Sequence, residues 1–272
     1  MLINSELPLC MLNENETLNE YDFVLFHLYK SNKAYRDYYK GLRMTNPDRL
    51  MILDNSAYEF YVKGEELDMD EFYNTILELA PDIYILPDTL MNKEKTLQGV
   101  VEFLDKYDIK CSIPMAVLQG NTVSEMLECS GAYKALNIKH IAIPFHNRFF
   151  LELGERCGFN IWYQFDENYG TLMGPDVLYA MGRVQFMKDY GCLLQDFDHI
   201  HMLGSHCPYE KSFYKDYQTM DTGYPVKCAV NGEELGEEHF KPSIIIDEFF
   251  EKDLEERYKE LIRLNMEKFK SM

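Results

Sequence analysis

The chain has 272 residues, room for one large domain or two ordinary ones, since domains usually run to about 100–200 residues. Its 46% hydrophobic and 27% charged content is that of a packed globular protein and excludes a disordered or fibrous one. With 46 acidic residues against 27 Lys and Arg, the net charge of -19 excludes a general polyanion binder. Any contact with nucleic acid has to come from a local basic patch.

In chain order, eight short apolar runs are predicted as strands: Phe23–Tyr29, Leu50–Asp54, Asp82–Leu86, Cys111–Leu118, Lys139–Ile143, Asn160–Gln164, Asp198–Leu203 and Tyr217–Asp221, the last of them the most weakly marked. Mostly apolar runs, rather than strict alternation, suit strands covered on both faces, as in a parallel sheet. Between the second and third runs, Asp68 and Glu71 read as a capping box ahead of a helix whose apolar face is Phe72, Ile76 and Leu79. Leu97, Val100, Val101 and Leu104 mark the helix after the third run, and Val123, Met126 and Leu127 the one after the fourth. This alternation predicts an α/β fold, a (β/α)8 TIM barrel, with a doubly wound sheet as the alternative. Residues 148–197 exceed what two minimal units need and predict an insertion carrying extra helices. Ile246, Phe250, Leu254, Tyr258 and Leu261 predict a docked C-terminal helix over about 243–270. Without internal repeats or a low-complexity linker, residues 1–272 read as a single domain.

No run approaches the roughly 18 apolar residues that span a bilayer, and the first ten residues lack the pattern of a signal peptide. The seven cysteines are scattered and form no C-x-x-C pair, which argues against a disulfide framework or zinc knuckle and for a reducing cytoplasm. No membrane partner is expected, and no cofactor or metal.

A barrel carries its chemistry at the carboxyl ends of its strands. Those ends carry Asp54, Asp88, Gln119, His146, Gln164, Gly204 and Asp221. Single acids at such places commonly begin turns or cap helices, but three acids sharing a pocket are costly unless they do chemistry. In the string Asp54-Asn55-Ser56-Ala57-Tyr58-Glu59, small residues let a flat ligand approach the backbone, and Tyr58 is placed to stack on it. Gln119 ends the fourth run in an amide, whose donor and acceptor suit a nucleobase edge. Leu203 followed by Gly204 leaves space for a ligand beside a backbone N–H.

In these strings the chain resembles the tRNA-guanine transglycosylase superfamily, whose motifs stand in the same order. Asp54 to Glu59 is similar to its Asp-Ser-Gly-Gly-Tyr-Gln motif, and Asp82 to Asp88 to its strand-ending Asp. Val117-Leu118-Gln119-Gly120 is similar to Val-Gln-Gly, His201-Met202-Leu203-Gly204 to the Leu-Met-Gly segment, and Met220-Asp221-Thr222 stands where the nucleophile belongs. Ser56 and Ala57 replace the two glycines, and the Cys-x-Cys-x-x-Cys…His zinc set is missing, only Cys228 and His239 lying beyond Asp221. The pattern is closer to the phage and bacterial paralogues that place 7-deazaguanines into DNA. The resemblance implies a pentosyltransferase that replaces guanine, in DNA rather than tRNA, with a 7-deazaguanine such as 7-cyano-7-deazaguanine.

In that scheme Asp221 is the nucleophile and forms a covalent glycosyl intermediate, and Asp54 is the general acid/base. Asp88 and Gln119 bind the base edge, Tyr58 and Leu203 sandwich the ring, and the Gly204 backbone and His146 add contacts. The target base has to leave its stack. Lys30, Lys33, Arg36, Lys40 and Arg43, interleaved with Tyr29, Tyr35, Tyr38 and Tyr39, form the basic stretch expected to contact phosphates. The likeness implies the cytoplasm, a host's if the gene is a phage's, and leaves a homodimer open. The rival reading is a metal-dependent barrel hydrolase built on His199, His201, His206, Cys207 and His146 with the same acids.

Overall fold

The computed structural model describes residues 1–145, 148–157, 165–166, 170–171, 175–205, 207–208, 210–236, 250 and 253–272. The strands are β1 (Leu2–Ser5), β2 (Asp22–Leu25), β3 (Met51–Asp54), β4 (Ile83–Ile85), β5 (Ile113–Val117), β6 (His140–Ile143), β7 (Phe165–Asp166), β8 (Gly170–Thr171), β9 (His199–Met202) and β10 (Thr219–Thr222). Eight of them form one sheet in the order β1-β10-β9-β6-β5-β4-β3-β2, while β7 and β8 make a separate antiparallel pair. β2 to β6 pair in series and β1 pairs β10, all parallel. Helices separate most of the strands: α1 (Asn15–Leu18), α2 (Phe26–Ser31), α3 (Lys33–Thr45), α4 (Ala57–Lys63), α5 (Met69–Leu79), α6 (Lys93–Lys106), α7 (Val123–Ala135), α8 (Arg148–Arg156), α9 (Pro175–Tyr190), α10 (Tyr224–Val230) and α11 (Glu256–Ser271). This is the (β/α)8 class that the spacing of the apolar runs predicts, with a C-terminal helix. Among the described residues no helix is long and apolar enough to cross a membrane.

The eight strands are not the eight predicted. β1 was missed: Leu-Ile-Asn-Ser is short, and two of its four residues are polar, although Ile3, Asn4 and Ser5 are all buried. The Asn160–Gln164 run, with Trp162 and Gln164, lies outside the described residues, and in the sheet β6 neighbours β9 directly. In chain order Asp54 therefore ends the third strand of the sheet, Asp88 lies beyond the fourth and Asp221 lies on the last, rather than at the second, third and last. The predicted first strand ends early, because the chain turns into α2 at Phe26.

By compactness the chain divides into two units: Met1–Glu20 with Phe145–Gln195 and Met202–Met272, and Tyr21–Pro144 with Asp196–His201. In the second unit, side-chain caps start the helices as residue type demands. Asn32, Asp68, Asn92 and Thr122 accept N–H bonds from Tyr35, Glu71, Lys95 and Glu125 at 3.0–3.2 Å. The α5 face buries Phe72, Ile76 and Leu79 as expected. The faces of α6 and α7 are rotated from the prediction. α6 buries Thr96, Val100 and Phe103 and leaves Val101 exposed, while α7 buries Met126, Cys129, Ser130 and Tyr133. An aromatic layer of Phe26, Phe72 and Phe103, with centroids 5.0 and 5.9 Å apart, fills the space behind the strands.

In the first unit, the segment between β6 and β9 carries α8 and α9. They cross at two glycines: a Cβ on Gly182 would lie 1.8 Å from the Phe150 carbonyl oxygen, and one on Gly154 2.3 Å from that of Leu178. α11 packs Ile262 and Met266 on a cluster of Leu7, Met11, Val226, Ala229 and Leu254, with Phe250, Tyr258 and Leu261 at its edge. The helix begins at Glu256, later than predicted, and Ile246 lies outside the described residues.

Candidate functional site

The described polar residues at the strand ends fall into three hydrogen-bonded groups, two in the unit of β2 to β6 and one in the other. In the unit of β2 to β6, Asp54 ends β3 and is buried, and its Oδ2 accepts the Ser56 N–H at 2.7 Å. That bond closes a tight turn in which Ser56 adopts φ +59°, a left-handed conformation that glycine takes without strain. Ser56 Oγ in turn accepts the His27 N–H at 3.1 Å and lies 3.0 Å from His27 Nδ1. Burial, aided by the Lys63 charge, pushes the His27 imidazole down to about 4, so it is neutral near pH 7.

Asp88 stands beyond β4 and is half-buried. Asn55 Nδ2 donates to its Oδ1 and Gln119 Nε2 to its Oδ2, both at 2.7 Å. Asn55 also donates to the Leu86 carbonyl at 2.7 Å, and Gln119 Oε1 accepts the Met91 N–H at 2.9 Å. These four bonds fix which way both amides face. Burial raises the Asp88 carboxyl above its ordinary range, and the two amide bonds oppose this only partly. A carboxylate offers about four lone-pair directions, so Asp88 retains acceptor capacity, and the Gln119 amide has a second N–H. The group can therefore present acceptors flanked by a donor to a planar heterocycle. Tyr58, on α4, is 38% exposed.

The other unit holds Leu203, Gly204 and Asp221. Asp221, on β10, is buried and faces Asn4 of β1 in the register. Its Oδ1 accepts the Gly204 N–H at 2.7 Å. Gly204 sits at φ +56°, so its peptide is aimed by a backbone turn that side chains resist. Arg183 of α9 lies behind the turn: Nη1 donates to the Leu203 carbonyl at 2.6 Å and Nη2 to the Gly204 carbonyl at 2.8 Å. The same guanidinium pairs with Glu210 at 2.9 and 3.1 Å, with neither side chain exposed. Ser205 Oγ donates to Glu210 Oε1 at 2.6 Å, and Thr222 Oγ1 to the Ser205 carbonyl at 2.6 Å.

The structure thus joins Asp88 to Gln119 and Gly204 to Asp221. Sequence reasoning missed Asn55, His27, Arg183 and Glu210. Asn55 was legible in principle, as a buried amide between two candidate residues. Arg183 and Glu210 carry no local signal, being 27 positions apart. His146 and His206 lie outside the described residues.

The basic stretch is largely paired within the protein. Lys30 meets Glu71 at 2.6 Å, Lys33 meets Asp37, and Lys40 meets Glu78 at 2.6 Å. Arg43 holds both oxygens of Asp82 at 3.0 Å, and Arg36 donates to the Tyr29 and Lys30 carbonyls at 3.4 and 3.3 Å. Tyr29, Tyr35 and Tyr39 are buried. Of the histidines of the hydrolase reading, His199 and His201 are described, and both lie against other rings. His201 stacks on Phe23 with centroids 5.2 Å apart, and His199 lies against His140 at the amino ends of their strands. Among the described residues no group of three His, Cys, Asp or Glu stands so as to hold a metal. No protein-family model matches the chain, and no curated protein does.

Proposed function

We propose that the chain is a base-exchange transglycosylase that replaces guanine in a nucleic acid, DNA in preference to tRNA, with a 7-deazaguanine. The observation that carries this reading is the Asp88 carboxylate oriented by the Asn55 and Gln119 amides at 2.7 Å. Guanine and its 7-deaza analogues present two adjacent donors, N1–H and the exocyclic amine, beside an acceptor carbonyl. A carboxylate flanked by an amide N–H matches that order, whereas adenine would put its N1 lone pair against the acid.

The chemistry needs two further groups. Asp221 attacks the anomeric carbon as the glycosidic bond breaks. The bond's electron pair leaves with the guanine, which takes a proton from Asp54. The incoming base returns its proton to Asp54 and displaces the Asp221 oxygen, so the enzyme ends as it began. The preference for DNA rests on the likeness to the reduced paralogues and on the missing zinc ligands. Phosphate contact falls to Lys30, Lys33 and Lys40, whose exposed pairs are screened by solvent, contribute little to stability and can be exchanged for phosphates. Arg43, clamped on Asp82, stays where it is.

The test is an exchange assay with labelled guanine or 7-cyano-7-deazaguanine on single-stranded DNA, duplex DNA and tRNA. Label enters one polymer with the wild type and none with Asp221→Ala or Asp54→Ala. Incorporation that survives Asp221→Ala removes it as the nucleophile, and no incorporation into any polymer refutes the reading.

A further inference from the structure

The segment between β6 and β9 supplies one side chain to the turn after β9, and the cost of burying that side chain calls for a reason. Arg183 and Glu210 are both fully buried. Taking two ions out of water costs more than their attraction usually returns, so such a pair is weak support for a fold. What this pair does is bracket a turn. The two terminal nitrogens of Arg183 bind the carbonyl of the peptide that carries the Gly204 N–H, Leu203 at 2.6 Å, and the carbonyl of the next peptide, Gly204 at 2.8 Å. Glu210 fixes the guanidinium from the other side and also takes the Ser205 hydroxyl. The Phe145 ring lies 5.0 Å from the guanidinium carbon, and the Phe145 Cβ is 3.5 Å from where a Gly204 Cβ would stand. Arg183 is carried to this place by α9, whose close crossing with α8 depends on Gly154 and Gly182.

We propose that Arg183 is a positioning residue: by holding the Leu203 and Gly204 carbonyls it locks the left-handed turn that aims the Gly204 N–H at Asp221 Oδ1. That bond occupies one carboxylate oxygen and restrains the rotation of the Asp221 side chain. The guanidinium suits the task because its planar fork reaches two carbonyls at once, which a lysine ammonium on one stem does not. The role in turnover rests on the transglycosylase reading; the role in the turn does not.

Two variants test it. Arg183→Lys keeps the charge opposite Glu210, and therefore the fold, but loses the fork. Arg183→Met/Glu210→Gln removes both buried charges together and keeps an acceptor for Ser205. In each, amide hydrogen exchange at Gly204 rises by about tenfold or more, while the amides of β1 and β10 keep their protection. In the exchange assay kcat falls about tenfold or more with KM within about twofold, because the loss lies in the reacting geometry and not in base binding. Wild-type exchange at Gly204 in both folded variants overturns the proposal, as does activity lost only in proportion to the unfolded fraction. If the wild type exchanges no base on any polymer, the transglycosylase reading falls alone, and exchange at Gly204 still decides the part played by Arg183.

Discussion

Replacing Gly204 with alanine tests the geometry of the turn on which Asp221 depends. Gly204 has φ +56°, and an alanine held there carries about 1–2 kcal/mol of strain. No steric cost adds to this, since the nearest atom to the new methyl is the Phe145 Cβ at 3.5 Å, an ordinary contact. The turn could relax instead, but it would give up the Gly204 N–H bond to Asp221, and a bond to a charged group is worth about 1.5–3 kcal/mol. Strain is the cheaper outcome, so the variant keeps the turn and loses about 1–2 kcal/mol of stability. The matched control is Gly41→Ala in α3, where the residue is exposed, helical and has nothing within 4 Å of the new methyl. There alanine gains up to about 1 kcal/mol from helix propensity. Urea unfolding at a common slope reads the difference, about 1–3 kcal/mol between the two variants. A Gly204→Ala protein that unfolds at the wild-type urea concentration would refute the left-handed turn and the argument built on it.

Ser56 provides a second reading of backbone strain. Ser56→Ala and Ser56→Gly both lose the bonds to His27, but only the glycine relieves φ +59°, so Ser56→Gly is the more stable by about 1 kcal/mol in thermal melts. Equal melting temperatures would contradict the left-handed assignment. Arg49 neutralises Asp22, whose side chain is fully buried, at 3.1 Å; Arg49→Met strands that charge and costs about 3 kcal/mol in urea unfolding, and a cost below about 1 kcal/mol would show that the pair is not buried. Burial holds His27 near 4 and His199 near 3, both below the ordinary 6.5. The unfolded chain therefore takes up these protons first. Stability is full above about pH 6.5 and declines by a few kcal/mol as pH falls through about 4 and then 3. Urea midpoints at pH 7, 5.5 and 4.5 fall in that order, less steeply for His199→Gln; an unchanged midpoint across the range would count against both buried histidines.

Much of the framework was legible because it is encoded locally. Seven of the eight predicted runs overlap strands of the sheet, since an apolar stretch buried on both faces leaves its mark in four or five adjacent residues. The Asp68 cap was legible for the same reason: capping joins residues three positions apart. Gln119 and Asp88 could be placed at strand ends, as could Asp221. That Gln119 and Asn55 turn their amides onto Asp88 is a matter of residues 31 and 33 positions apart.

By itself, then, the sequence determined seven of the eight strands of the sheet, the cap that starts α5 and which polar residues stand at the strand ends, because those follow from hydrophobic period and nearest-neighbour hydrogen bonding. Tertiary structure alone decided how charges are used. A basic stretch that reads as a phosphate contact has lysines and Arg43 paired to acids, mostly from distant parts of the chain, such as Arg43 with Asp82. An arginine with no local signal is set behind Gly204 by the crossing of two helices. Charges act through space, over a few ångströms and whatever the chain separation, so their partners exist only once the chain has folded.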